Sequence, residues 1–234
     1  KLYKLQINLK IMIVLVSVCV CVLFIGMLFI PALIKETFTS NKNETSYFKT
    51  EFGNIRCFSK DTTICQSFAN SNYFEKHIGE LIKEYYKPNT VFLDIGANYG
   101  LHTLIVGKHI KNIQCSGKIY SFEPQRSVFQ ILCGNLAINN LYNVYAYQFG
   151  LGKENTIIQV NEPNYFGYED YGTFSLVEDI VKDVTEEKLT IEIKTLDWFV
   201  ENYYIPYVDF IKIDWRKITD FGMPQLLVHY LDKN

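Results

Sequence analysis

The chain has no block of lysines and arginines, and its 234 residues carry a formal net charge of only −2. A protein that grips a phosphate backbone needs a basic stripe, so nucleic acid is not an expected partner. Histidine is scarce, with four residues in all, and His77 has no second histidine at metal-binding spacing. No metal site is expected, and His77 reads as a solvent-facing residue of a helix. Charge is absent between Ile11 and Ile34, which marks that stretch as fit for a membrane. A starting methionine is absent too, as expected of a fragment or a processed product.

What is present is organised around Val91-Phe-Leu-Asp-Ile-Gly-Ala-Asn-Tyr-Gly-Leu-His-Thr-Leu104. Val91 to Leu93 with Ile95 form a β-prone run suited to a strand buried on both faces. Gly96 and Gly100 permit a tight turn, and Leu101, Leu104 and Ile105 then recur at helical spacing. Strand, turn and helix N-terminus together read as a nucleotide-binding unit. A nicotinamide site of the usual kind has G-x-G-x-x-G with its middle glycine under a pyrophosphate. Here that glycine is missing, and Asp94 puts at the strand end a carboxylate that repels a pyrophosphate but suits an ammonium, directly or through water. S-adenosylmethionine, with its ammonium and sulfonium and no phosphate, fits better.

Gly117-Lys-Ile-Tyr-Ser-Phe122 reads as the next strand, closed by Glu123-Pro124. A carboxylate at the end of the second strand of a βαβ unit is placed to bind both ribose hydroxyls. The alternative is an ordinary acid stabilised by the dipole of the following helix. Val128, Ile131, Leu132 and Leu136 are helical in spacing, and Tyr145 to Phe149 reads as the third strand, with Gly150-Leu-Gly152 as its turn. Asn155 to Val160 and Leu189 to Thr195 are strand-like. Between them, residues 164–175 are dense in aromatics, glycines and acids, either stacking on a sugar ring or covering the sheet. Asp209 to Asp214 reads as a fourth parallel strand lying beside the first and ending at the same crevice.

Asp94-Ile-Gly-Ala-Asn-Tyr-Gly100, Phe122-Glu-Pro124, Asn135, Asn139-Asn140, Asn143-Val144, Thr195-Leu-Asp197 and Val208-Asp-Phe-Ile-Lys-Ile-Asp214 occur in that order. Over residues 90 to 214 the chain therefore resembles the FkbM-type S-adenosylmethionine-dependent methyltransferases. The resemblance implies an α/β, Rossmann-like sheet and methyl transfer to a hydroxyl oxygen, commonly of a sugar. It implies cofactor binding by Asp94, Gly96, Asn98, Gly100 and Glu123. Asp214 becomes the catalytic candidate, orienting the acceptor hydroxyl or taking its proton, or else it only caps the next helix. His102 is an alternative base, or a residue packed on the first helical turn. A nicotinamide oxidoreductase and a non-catalytic, membrane-bound remnant are the competing functions.

Residues 1–10 form an N-terminal tail. Lys10 and Lys35 bracket the uncharged run of residues 11–34, long enough to cross a core of about 30 Å at about 1.5 Å per residue. A single-pass membrane anchor is expected; a cleaved signal peptide is the alternative, although Pro31 to Ile34 offers no small-x-small site. Cys19 and Cys21 within the run are apolar fillers. Lysines flank it evenly, so the positive-inside rule gives no orientation. The Asn43-Glu-Thr45 sequon and a local Cys57–Cys65 disulfide would both place the body in a lumenal or extracellular space; chance and reduced thiols are the alternatives. Residues 35–47 form a polar linker. Residues 48–88 hold a hairpin interrupted at Gly53 and an amphipathic helix from Phe74 to Tyr86, facing inward with Ile78, Leu81, Ile82 and Tyr85. The methyltransferase-like domain spans 89–234. After Asp214 the family pattern of a glycine turn and a second acid gives way to Trp215-Arg-Lys217, so an incomplete C-terminus is expected.

Overall fold

The computed structural model describes residues 44–165, Gly167, Tyr171 and residues 184–214. The expected span at 11–34, the sequon asparagine, most of the 164–175 loop and everything after Asp214 lie outside the described residues. No helix among the described residues is long and apolar enough to cross a membrane.

The body opens on an antiparallel hairpin, β1 (Thr45–Thr50) and β2 (Gly53–Phe58). Two helices follow, α1 (Ile64–Ser71) and α2 (Lys76–Tyr85). Then β3 (Val91–Ile95), α3 (Leu101–Ile113), β4 (Lys118–Phe122), α4 (Arg126–Ile138) and β5 (Val144–Tyr147) alternate as two βαβ steps, each new strand beside the last. A second small sheet comes from β6 (Gly150–Leu151), β7 (Thr156–Pro163) and β8 (Val184–Lys194). Helix α5 (Leu196–Asn202) leads into β9 (Phe210–Ile213). The central sheet runs β5-β4-β3-β9, with every pair parallel, and the smaller sheet runs β6-β8-β7. The last strand thus returns beside the first, as the doubly wound pattern requires.

All five residues of β3 are buried, the consequence of covering a parallel strand on both faces. Val91, Leu93 and Ile95 alternate onto one face with Tyr120 and Phe122, where the Phe199 ring of α5 meets Phe122 edge-on at 4.8 Å. Phe92 and Ile119 take the other face, packing with Val106 and Ile110 of α3 and Ile82 of α2. Helix α2 begins later than its apolar pattern suggests and turns a different side inward. Gly79 and Ile82 are buried while Leu81 and Tyr85 face solvent. Gly79 explains the choice: a Cβ there would lie 2.8 Å from Ile105 Cδ1, so the missing side chain lets α2 and α3 approach. Cys57 and Cys65 do not form a disulfide; both are free, buried thiols hydrogen-bonded to one another.

The hairpin is tied to α4 by an unusual ladder. Asn135 Oδ1 accepts the Arg56 N–H at 2.8 Å while its Nδ2 donates to the Arg56 carbonyl at 2.9 Å. One turn on, Asn139 repeats the pattern on Asn54, at 2.7 and 2.6 Å. Two amides four residues apart on a helix rise about 6 Å, close to the about 6.8 Å between alternate strand residues, so each meets its own partner. Asn135 Nδ2 also donates to the Tyr99 carbonyl at 2.8 Å, which joins this ladder to the turn after β3. Asn135 is fully buried, so removing its amide strands three backbone groups. Asn135→Ala is expected to cost about 3 kcal/mol in urea unfolding, and a loss below about 1 kcal/mol would mean that water replaces the amide.

Candidate functional site

At the carboxyl ends of β3, β4 and β9 the sequence sends polar groups into an otherwise apolar layer. The chain leaving β3 turns through Gly96, Ala97, Asn98, Tyr99 and Gly100, with Gly96, Asn98 and Gly100 at φ of 72°, 52° and 89°. Gly96 and Ala97 N–H both donate to the Phe122 carbonyl, at 3.0 and 2.9 Å, pinning the turn to the end of β4. Gly100 is the N-cap of α3, and a Cβ on it would lie 2.5 Å from Leu132 Cδ1. Its left-handed backbone and its close approach to α4 therefore both demand glycine. Asn98 stands where a dinucleotide turn has its middle glycine. It takes the left-handed conformation that asparagine tolerates, and its Oδ1 accepts the Tyr99 N–H at 2.8 Å.

Glu123 is fully buried at the end of β4. Its Oε2 accepts the Asn98 N–H at 3.0 Å and its Oε1 accepts the Gln125 N–H at 3.0 Å. The acid thus stitches the turn after β3 to the turn after β4.

Asp94 is buried and already partnered. Thr103 Oγ1 donates to its Oδ2 at 2.7 Å, and Ser121 Oγ lies 2.7 Å from the same hydroxyl. Its Oδ1 is 3.1 Å from the Lys212 ammonium, a charge contact whose angle falls short of a hydrogen bond. Lys212 Nζ also donates to the Gly96 carbonyl at 3.0 Å. The cation beside Asp94 in this structure is the Lys212 ammonium, supplied by β9. Lys212 escapes sequence reasoning, although a lysine inside the apolar run Phe210-Ile-Lys-Ile213 is a signal: a mostly buried ammonium needs a partner. Asp214 follows at the end of β9, half-buried, its N–H donating to the Ile95 carbonyl at 2.9 Å.

His102 occupies the second position of α3 and is buried. Its Nε2 has no hydrogen-bond partner among the described residues; Glu75 Oε2, at 3.6 Å, is too far. Burial, and then the charge of Lys212, push the imidazole down to about 4, with Asp94 and Asp214 pulling the other way. It is neutral at physiological pH. Glu75 is the N-cap of α2 and holds a left-handed backbone at φ 47°, uncommon for a glutamate. His77 is exposed, as expected.

Two tyrosines of the aromatic loop fall within the described residues, and neither offers a free face. Tyr165 and Tyr171 are buried against Phe58, with ring centroids 4.7 and 5.9 Å from it. Tyr165 OH donates to Gln125 Oε1 at 3.1 Å, and burial raises its hydroxyl well above the ordinary tyrosine range. Tyr99, beneath them, donates to Asp61 Oδ2 at 3.0 Å, and Asp61 Oδ1 in turn caps the first turn of α1. Neither Asp61 nor the helix it starts is evident from the apolar spacing. Among the described residues no group of histidine, cysteine and acidic side chains is arranged to hold a metal ion.

A family model for the methyltransferase FkbM domain matches residues 94–215. No curated protein matches by sequence. Among solved structures, an S-adenosylmethionine-dependent methyltransferase from Agrobacterium tumefaciens is similar at a TM-score of 0.34 and 8% identity, over 48% of this chain and 34% of that one. PH0793 of Pyrococcus horikoshii, a candidate transferase, is similar at a TM-score of 0.34 and 12% identity, over 53% of this chain and 55% of that one. The chain thus spans about a third of the length of the first and about half of the second.

The buried imidazole makes stability depend on pH. The unfolded side chain titrates near 6.5 and the folded one near about 4, so between these values the unfolded chain holds the extra proton. Stability is full above about pH 6.5 and is lost as pH falls towards 4, by about 3 kcal/mol for this group. His102→Gln should remove that part of the slope when urea unfolding of the two chains is compared across the window. Parallel curves would mean that the imidazole is free to protonate in the folded chain.

Proposed function

The chain belongs to the FkbM methyltransferase family, and from that premise we propose that it transfers a methyl group from S-adenosylmethionine to a hydroxyl oxygen, that of a glycan. The observation that carries this reading is the Glu123 carboxylate, which ends β4 yet accepts the Asn98 N–H of the turn after β3. An acid that binds ribose hydroxyls and a turn that holds the methionine end then form one continuous edge. Against a nicotinamide cofactor stands Asn98, which replaces the middle glycine of the pyrophosphate turn and whose Oδ1 already accepts the Tyr99 N–H.

Glu123 would hold the ribose and the turn from Gly96 to Gly100 the methionyl group, with Asp214 of the β9 end beside that turn. Bound cofactor supplies the activated methyl. Asp214 orients the acceptor hydroxyl for in-line attack, which gains its rate from alignment rather than from bond polarisation. Asp94 acts from behind, fixing Thr103 and Lys212 and through them the helix start and the Gly96 carbonyl. The glycan class rests on the family resemblance, not on Tyr165 or Tyr171, whose rings are already packed.

Full-length chain in detergent should bind S-adenosylmethionine and S-adenosylhomocysteine by calorimetry and should not bind NAD. Charge-assisted bonds to the ribose are worth about 1.5–3 kcal/mol, so Glu123→Gln should weaken S-adenosylmethionine about ten- to a hundredfold. Preference for NAD, or undiminished affinity in a folded Glu123→Gln chain, rejects the cofactor assignment.

The same reading makes residues 11–34 a membrane anchor with the body in a lumenal or extracellular space, supported by the uncharged run and the sequon at Asn43. After alkaline carbonate washing the protein should stay in the membrane pellet and carry a glycosidase-sensitive mass on Asn43. Release of a soluble body starting near residue 35 would replace the anchor with a signal peptide.

A further inference from the structure

The buried Nε2 of His102 calls for an account. Leaving a polar nitrogen without a partner costs about 1–3 kcal/mol, and such atoms in folded proteins have a reason. Thr103, the next residue, turns towards β3 and β4, bonding Asp94 and facing Ser121. One residue back is about 100° round the helix, so His102 looks the other way, towards Glu75 and the charges at the end of β9. If ribose sits at Glu123 and the methionyl group lies along the turn after β3, the sulfonium that joins them stands over that turn, and His102 lies two residues beyond its last glycine.

We propose that His102 Nε2 is the atom that takes the proton of the acceptor hydroxyl, with Glu75 as the residue that holds and balances it; this rests on the methyltransferase reading above. As the acceptor oxygen bonds to the methyl carbon, the carbon–sulfur bond breaks and its electron pair stays on sulfur, giving the neutral thioether. The O–H proton passes to Nε2, and the imidazolium so formed faces the Glu75 carboxylate at 3.6 Å. The groups around the ring are Glu75 and His77 from α2, Asp94 from β3, and Lys212 and Asp214 from β9. Burial, and then the Lys212 charge, keep the resting ring neutral, the state a base must start from, and the acids face the charge that follows. The left-handed backbone of Glu75 fits this role, since strained residues persist where their neighbours hold them for a purpose. Asp214 is then a positioning residue for the hydroxyl.

S-adenosylmethionine and S-adenosylhomocysteine differ at one place, the charged methylsulfonium, so the pair is a probe of what lies beside it. With the full-length chain labelled at histidine nitrogens, the His102 ring resonances should differ between the two complexes at pH 7 by more than a linewidth, and those of His77 and His109 should not. In transfer of radiolabelled methyl to a panel of methyl glycosides, His102→Gln should lower kcat about a hundredfold with affinity for S-adenosylhomocysteine within threefold. Identical His102 resonances in both complexes, or wild-type turnover by His102→Gln, overturns the proposal while leaving the cofactor assignment intact. Failure of wild-type chain to bind either compound overturns the methyltransferase reading and this proposal with it. The resonance comparison decides the matter whether or not a glycoside of the panel is accepted.

Discussion

One fully buried carboxylate, that of Asp94, sets the terms for the whole carboxyl edge of the central sheet. A charge at the end of a strand buried on both faces is tolerable only when every side of it is answered. Here the answers come from three elements: Thr103 from α3, its hydroxyl neighbour Ser121 from β4, and Lys212 from β9. Each of those contacts fixes the end of one element against β3. The turn between β3 and α3 hangs from this frame, held to β4 by the Phe122 carbonyl and the Glu123 carboxylate. The crevice is thus preorganised by polar contacts rather than by apolar fit, and His102 Nε2 is one of the few buried side-chain atoms among the described residues that no hydrogen bond answers.

A second layer of support lies outside the sheet. Phe58 of the hairpin, Tyr99 of the turn, and Tyr165 and Tyr171 meet in one aromatic group, with Asp61 accepting the Tyr99 hydroxyl. The lead-in hairpin and α1 are therefore part of the wall behind the site. Burial raises the Asp61 carboxyl, opposed by the N–H groups of α1 and by Tyr99, so this acid trades charge stability for a rigid connection.

Much of this is legible in the residues alone. The apolar run of Val91-Phe-Leu-Asp-Ile95, the glycine pair and the carboxylate at Glu123 define a parallel βαβ unit, and β9 takes the predicted place beside β3. What escapes is set by tertiary contact. The inward face of α2 is chosen by Gly79 against Ile105, a neighbour that helical periodicity cannot see. Lys212 reads as an interruption of a strand until Asp94 is beside it. Asn135 and Asn139 are visible as motif residues, but their task depends on β2, 79 and 85 residues away in sequence. The short helices α1 and α5 depend on a cap and on Phe199 packing rather than on a long amphipathic pattern.

The amide ladder from α4 to β2 also acts as a gauge of length. Because helix rise over four residues and strand rise over two nearly coincide, Asn135 and Asn139 engage alternate residues of β2; moving β2 by a single residue would present residues whose N–H and C=O groups point to β1 instead. Insertions and deletions between residues 54 and 135 are therefore not equally tolerable: those that leave both ends in step change only a loop, while those that shift either element unfasten the hairpin from the helix. A strand whose outer N–H and C=O groups are occupied by a helix of its own chain is also closed to pairing with another molecule. Two asparagines thus both calibrate the joint and guard an edge that would otherwise invite aggregation.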